Sequence, residues 1–144
     1  PPTLKEGVKM WQFSRMGFRA RREALGLSRK NLADIIGVGE ATIRNWEIGK
    51  GEPREPMSIH MLLGGLEDEM LLLIDQLMEP MDGEKPETGQ PLYLRCYEHQ
   101  SDYETMEPYW SKLLPIQTHR VAVAIAANML NDDNIPTDVV GIED

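Results

Sequence analysis

Between Gly17 and Lys50 the apolar positions fall into three short groups at helical spacing, separated by glycines. In FRARREAL, Phe18, Arg22 and Leu25 share one face, and Gly26 follows as a C-terminal stop. Leu27 reads as a buried link. Ser28 offers a side-chain oxygen to a first-turn amide of a second helix, in which Leu32, Ile35 and Ile36 recur at helical spacing and Ala33 admits a close neighbour. Gly37 ends that helix and Gly39 caps a third, EATIRNWEI, whose Ile43, Trp46 and Glu47 fall on one side before GKGEP breaks the pattern. From Met57 the apolar stripe lengthens: Ile59, Leu62, Leu63, Leu66, Met70, Leu73, Ile74 and Leu77 predict a long helix, or a pair bent at Gly64-Gly65. After the loop DGEKPETGQ, the segment PLYLRCY alternates Leu92, Leu94 and Cys96 as a strand does. SDYETM then reads as a short helix, THRVAVAIAANML as a small-residue helix able to pack closely, and NDDNIPTDVVGIED as a loosely held acidic tail. The expected fold class is mainly α: an N-terminal bundle of short helices, then a small α+β region with one or two short strands.

Two helices joined by a short turn containing Gly cross at a large angle, so the second protrudes while the first braces it. With Ile43, Trp46 and Glu47 inward, the outward face of the third helix is Ala41 and Asn45, flanked by Glu40, Thr42 and Arg44. Asn bonds an adenine edge in two places, Arg grips guanine or phosphate, Glu accepts from cytosine, and Ala or a Thr methyl touches the thymine methyl. Such side chains also make an ordinary solvated face. The turn pattern favours DNA reading, with these five as base-reading candidates.

Charge sharpens the division. The formal net charge is −9, yet through Arg54 eleven Lys and Arg face six Asp and Glu, a formal +5, and the remainder carries −14. The first part keeps the sign that phosphates attract. A chain of 144 residues, 41% apolar, makes one full core or two small modules sharing a dimer interface. The single Cys96 excludes an intrachain disulfide framework, no apolar run reaches bilayer-spanning length, and PPTLKEGVKMWQF lacks the apolar stretch of a secretory signal. The expectation is a reducing cytoplasm and no membrane partner.

GLSRKNLADIIGVGEATIRNWEIGK resembles the helix-turn-helix of the Xre or Cro family of phage and bacterial repressors. There Gly-Leu-Ser, Leu-Ala, Gly-Val, a central Ile and Trp-Glu-x-Gly-Lys recur at these spacings, and the resemblance covers residues 17 to 53. It implies a double-stranded DNA partner, base reading by Glu40, Ala41 and Asn45, and phosphate contacts where the second helix starts. Ser28 and Arg29 stand there, the latter where the family usually has Gln. Arg19, Arg21, Lys30 and Lys50 are further phosphate candidates. The resemblance also implies an internal ion pair between Arg22 and Glu47, structural because removing one partner would leave the other unpaired.

The second region is similar to compact Xre-type regulators that include anti-CRISPR-associated repressors. In these a long helix precedes a Pro, a strand of the form Leu-x-Phe/Tyr, a short acidic-aromatic helix and an Ala-rich final helix, the order seen in QPLYLRCYEHQSDYE and HRVAVAIAANML. The resemblance implies a homodimer built by the C-terminal part, with paired recognition helices on a palindromic operator, and an RNA partner for some such regulators. The domains expected are 1–56, a helix-turn-helix DNA-binding domain, and 57–144, a dimerisation domain ending in the acidic tail.

Other chemistry is thin. His60, His99 and His119 are dispersed and Cys96 sits on the expected strand, so no metal is expected. Met61, Met70, Met78 and Met129 lie in apolar patterns that fill gaps in a core or interface. His99, Asp102 and Glu104 come with no nucleophile motif or phosphate loop, so no catalytic residue, cofactor or enzyme activity is expected. Two functional readings stand. One is an operator-binding homodimer that represses by occupying a promoter, often its own. The other is an antitoxin-like interaction protein whose acidic C-terminal half binds a protein partner while the helix-turn-helix tethers the pair to DNA.

Overall fold

The structure is a computed structural model and describes residues 11–79 and 89–143. It is mostly helical, with α1 at Arg15–Ala24, α2 at Arg29–Ile36, α3 at Glu40–Glu47 and α4 at Pro56–Met78. There follow β1 at Leu92–Arg95, α5 at Gln100–Met106, a 3-10 turn at Trp110–Lys112, α6 at Ile116–Asp132 and β2 at Thr137–Val140. The chain divides into two compact units, Pro1–Gly65 and Leu66–Asp144, and the division falls inside α4. Gly64-Gly65 does not split that helix into two elements. Among the described residues no helix is long and apolar enough to cross a membrane.

In the first unit each short helix has its ends satisfied by side chains or by glycine, since so few turns leave most backbone groups orphaned. The Ser14 hydroxyl accepts from the Gly17 amide at 3.1 Å and starts α1. Ser28 and Asn31 cap α2 reciprocally: the Ser28 hydroxyl accepts from the Asn31 amide and the Asn31 side chain accepts from the Ser28 amide, each at 3.0 Å. Gly37, at φ 90°, ends α2 in the left-handed conformation that a side chain would disfavour. Phe18, Leu25, Leu27, Leu32, Ala33, Ile43 and Trp46 are buried, joined by Ile59 and Leu63 from α4. Ile35, expected on the apolar face, is 39% exposed, because Leu32, Ala33 and Ile36 define the inward side of a two-turn helix and Ile35 lies to one side of it.

One charged group sits among these side chains. The Glu47 side chain is only 1% exposed and receives two bonds from Arg22, Nε to Oε2 at 2.6 Å and Nη2 to Oε1 at 2.9 Å. A third comes from Arg29 Nε to Oε1 at 3.0 Å. Arg22 also donates to the Leu27 carbonyl at 2.8 Å, so a single guanidinium ties α1, the link before α2, and α3. Burial pushes the Glu47 carboxyl up, but the bonds from Arg22 and Arg29 outweigh it and hold the group below its ordinary value. Its bonds to Glu47 raise the Arg22 guanidinium against its own burial. The ion pair implied by the family resemblance is therefore present, with Arg29 added to it.

The second unit packs α6 against the C-terminal part of α4 and a two-stranded parallel sheet. Leu73, Ile74, Leu94, Trp110, Leu114, Ala122, Val123, Ala126, Ala127 and Leu130 make its core, and Leu66, Met70, Leu77 and Met78 pack on it. Small residues of α6 admit this approach. Met61 and Met129, by contrast, are 69% and 45% exposed, so among the four methionines read as gap fillers these two fill no gap in their own unit. Strands β1 and β2 pair in parallel with Leu92 opposite Thr137 and Arg95 opposite Val140. A parallel pair needs a long crossover, here α5, the 3-10 turn and α6.

The last segment departs from the sequence expectation. Residues 137–140 are β2, not a loose tail. The Asn131 side chain clamps Thr137 from both sides, donating to its carbonyl at 3.0 Å and accepting from its amide at 2.8 Å. Arg95 donates to the Gly141 carbonyl beyond the strand. Asn134, at φ 64°, turns the chain back after α6.

His119 on α6 is 2% exposed, with ring centroids 5.0 Å from Tyr103 and 5.6 Å from Tyr97. Its Nδ1 has no hydrogen-bond partner among the described residues. Tyr103 donates to the Trp110 and Leu114 carbonyls at 3.1 and 2.9 Å, which anchors the 3-10 turn. Burial holds the His119 imidazole below its ordinary value, with Glu107 opposing and Arg120 reinforcing the shift.

Two pH dependences follow from these groups. A carboxyl depressed in the folded state stabilises it above the unfolded value and stops doing so as pH falls through the folded one. The first unit should therefore lose stability as pH drops below about 4.5. At neutral pH, Glu47→Gln should cost about 3–5 kcal/mol by leaving a buried guanidinium unpaired, while Arg22→Met with Glu47→Leu should recover most of it, read by urea titration followed at Trp46. For His119 the folded imidazole stays neutral while the unfolded one takes a proton. Stability is full above about 6.5 and declines as pH falls through that value toward the folded one. Replacing His119 by Phe should flatten that part of the melting profile of the second unit between pH 7.5 and 5.5.

Candidate nucleic-acid interface

Helix α3 is two turns long, and its inward residues Ile43, Trp46 and Glu47 are all buried. That leaves Glu40, Ala41 and Arg44 exposed, with Thr42 and Asn45 half-buried at the edges of the same surface. Trp46 is held by edge contacts to Phe18 and Phe13, with centroids 5.8 and 6.4 Å away. Together with the Glu47 bonds this fixes the rotation of α3 about its axis, which decides which side chains face out. The α2–α3 turn holds its angle through Val38, whose amide joins that of Gly37 on the Ala33 carbonyl at 3.0 and 2.8 Å. All five base-reading candidates thus reach the surface of one helix; Glu40, Ala41 and Arg44 are its exposed part, while Asn45, expected with Ala41 at the centre of the outward face, is half-buried.

The phosphate candidates divide by what already engages them. Arg19 pairs with Glu23 at 3.3 Å and Lys30 with Asp34 at 3.0 Å, both exposed i,i+4 pairs that contribute little and yield readily to a stronger anion. Lys50 is exposed, and its amide is bonded to the Asn45 carbonyl just beyond α3. The Ser28 hydroxyl is committed to its cap, though the residue remains exposed at the N-terminus of α2. Arg29 uses Nε on Glu47 and stays 30% exposed, so its other nitrogens remain at the surface where α2 begins. There the partial positive charge of the helix end adds to its own.

Arg21 is placed differently. Its Nη1 lies 2.8 Å from Nδ1 of His60 and its Nη2 donates to the His60 carbonyl at 3.3 Å, which ties α1 to the start of α4. A guanidinium has only donors, so Nδ1 is the acceptor. The His60 ring in turn stacks on Trp11 at 4.4 Å. Sequence reasoning assigned His60 nothing and did not single out Arg15, whose Nη1 donates to the Glu47 carbonyl at the end of α3 at 3.2 Å. No spacing signal marks either contact, because each joins elements far apart in the chain.

Elsewhere, His99 and Asp102 line a small groove in the second unit with Tyr97, Glu98 and the 141–143 turn, of about 240 Å³. Glu104 is not among its walls and accepts from Gln100 at 2.9 Å instead. Among the described residues no three His, Cys, Asp or Glu side chains are placed to hold a metal ion.

Three short helices with a glycine-ended turn, a third helix fixed from behind by Trp46 and Glu47, and cations along its flank make a surface suited to a DNA groove. No curated protein matches the chain. Residues 18–59 match the helix-turn-helix family, and the first unit is accordingly the helix-turn-helix of a DNA-binding transcription regulator.

Proposed function

We propose that the protein is a homodimeric repressor that occupies a palindromic operator, its own promoter among the sites, in the cytoplasm. The observation that carries this reading is the exposed face of α3, where Ala41 and Arg44 project between Glu40 and the half-buried Thr42 and Asn45. Asn45 and Arg44 read bases, and Glu40, Ala41 and Thr42 complete the discrimination. Arg19, Arg29, Lys30 and Lys50 hold phosphates on either side, with Ser28 and Arg21 at the margins. One such helix covers only a few base pairs, so specificity in a genome calls for two copies. The second region, similar in element order to compact dimeric regulators, is the part that pairs them. Its −14 charge keeps it off the duplex and turns the +5 part toward it. The antitoxin-like reading has one feature in its favour, an exposed acidic and apolar face in the second unit.

Selection from random DNA tests the proposal. The enriched site should be an inverted repeat with half-site centres about 10 bp apart; a single unrepeated half-site, or none, would count against a two-fold repressor. Asn45→Ala and Arg44→Ala should each weaken binding to that site by about 1–3 kcal/mol and leave random duplex unaffected. Lys50→Ala should weaken both and lower the salt slope of log K by about 1. Static light scattering that finds a monomer at micromolar concentration would remove the dimer.

A further inference from the structure

The outward face of α4 in the second unit carries Asp68, Leu71, Leu72 and Asp75, with Glu79 just past its end, all exposed. The helical repeat brings Asp68, Leu72, Asp75 and Glu79 into one line. No Lys or Arg occurs anywhere along α4, and among the described residues no hydrogen bond or ion pair engages the side chains of Asp68, Asp75 or Glu79. Asp75 and Glu79 stand one turn apart, where like charges repel, and at the C-terminal end of the helix, where the macrodipole favours cations. Among the described residues the arrangement is electrostatically unfavourable.

The same line borders apolar surface. Leu71 and Leu72 are 58% and 56% exposed and Tyr109 is 64% exposed. A groove of about 530 Å³ runs between α4 and the Tyr109–Trp110 corner, with Leu72, Asp75, Gln76 and Glu79 on one wall. The Trp110 indole donates to the Gln76 side chain at 3.0 Å and the Tyr109 ring meets Trp110 edge-on at 5.0 Å, so the far wall is held in place. Exposed leucines beside an aromatic, rimmed by carboxylates that meet no cation among the described residues, are suited to a ligand that is apolar along one side and basic along its border.

We infer that this face docks a basic amphipathic helix of another protein, with aliphatic side chains against Leu71 and Leu72 and a Lys or Arg between Asp75, Glu79 and the Tyr109 ring. A cation there meets two carboxylates, the negative helix end and an aromatic face together. A second copy of this chain is disfavoured as occupant, since it would set the same carboxylates against one another. The inference goes beyond operator binding and survives if that reading fails.

The test uses the full chain and a labelled, amidated Leu/Lys peptide of about 18 residues with its leucines on one helical face, followed by fluorescence anisotropy. A scrambled peptide of the same composition is the control. Binding should saturate, Asp75→Lys with Glu79→Lys should weaken it at least about tenfold, and Asp132→Lys with Asp133→Lys, an equal reversal at exposed sites on the end of α6, should change it less than about twofold. Leu72→Ser should also weaken it, and the Asp75/Glu79 variant should melt no lower than wild type, because the reversal suits the helix end. Equal losses from both reversals, equal binding of the scrambled peptide, or no saturation by about 100 μM would overturn the inference. So would a wild-type dimer that Leu72→Ser converts to monomers, which would make the face the contact between copies.

Discussion

The first unit depends on one buried carboxylate. Glu47 lies in an apolar interior, where an isolated charge is costly, and is tolerable because Arg22 grips both its oxygens and Arg29 adds a third bond. The geometry this demands is narrow. Arg22 must leave α1 at the position that also meets the Leu27 carbonyl, and Glu47 must leave α3 one residue after Trp46. Three helices of two or three turns each bury little surface, so a contact that specifies their mutual placement matters more here than it would in a large core. Its consequence is functional. With Glu47 and Trp46 held inward, Ala41 and Arg44 have no direction left but outward.

The same network explains an oddity at the start of α2. Arg29 shares the Glu47 carboxylate with Arg22, so two guanidiniums are set against one carboxylate and a positive charge remains near the surface where the helix end is also positive. A neutral side chain at that place would make at most a hydrogen bond. The second unit solves a different problem. Its sheet has only two strands, too few to stand alone, and its stability rests on α6, whose alanines let Leu94, Trp110 and Leu114 approach and whose Asn131 clamps β2. His119 and Tyr103 are buried against one another and Tyr97, the one without a partner at Nδ1 among the described residues, the other doubly bonded to backbone.

Much of this was legible along the chain. The turn glycines, the Ser28 cap, the inward trio of α3 and the Arg22–Glu47 pair are local or motif-level signals, and each is where the pattern or the resemblance puts it. Ile35 and the last strand were not legible, for opposite reasons. Ile35 is apolar at helical spacing, yet a two-turn helix has room for only one narrow inward side. TDVV carries almost no periodicity, and it is a strand because β1 offers a parallel partner and Asn131 holds its first residue.

What the sequence determined by itself is what depends on near neighbours: the caps and stops of the short helices, the inward face of α3, and the segregation of positive from negative charge about Arg54. Hydrogen bonds within a turn settle the caps and stops, side-chain spacing settles the face, and residue order alone settles the charge. The tertiary structure alone decided which charges are spent and which are left over. Arg21 goes to His60, Arg29 is shared with Glu47, and Arg15 closes the end of α3, while Asp75 and Glu79 meet no cation among the described residues. Such assignments depend on distances between elements remote in the chain, and the energy of a charge depends on burial and on what lies within a few ångströms of it.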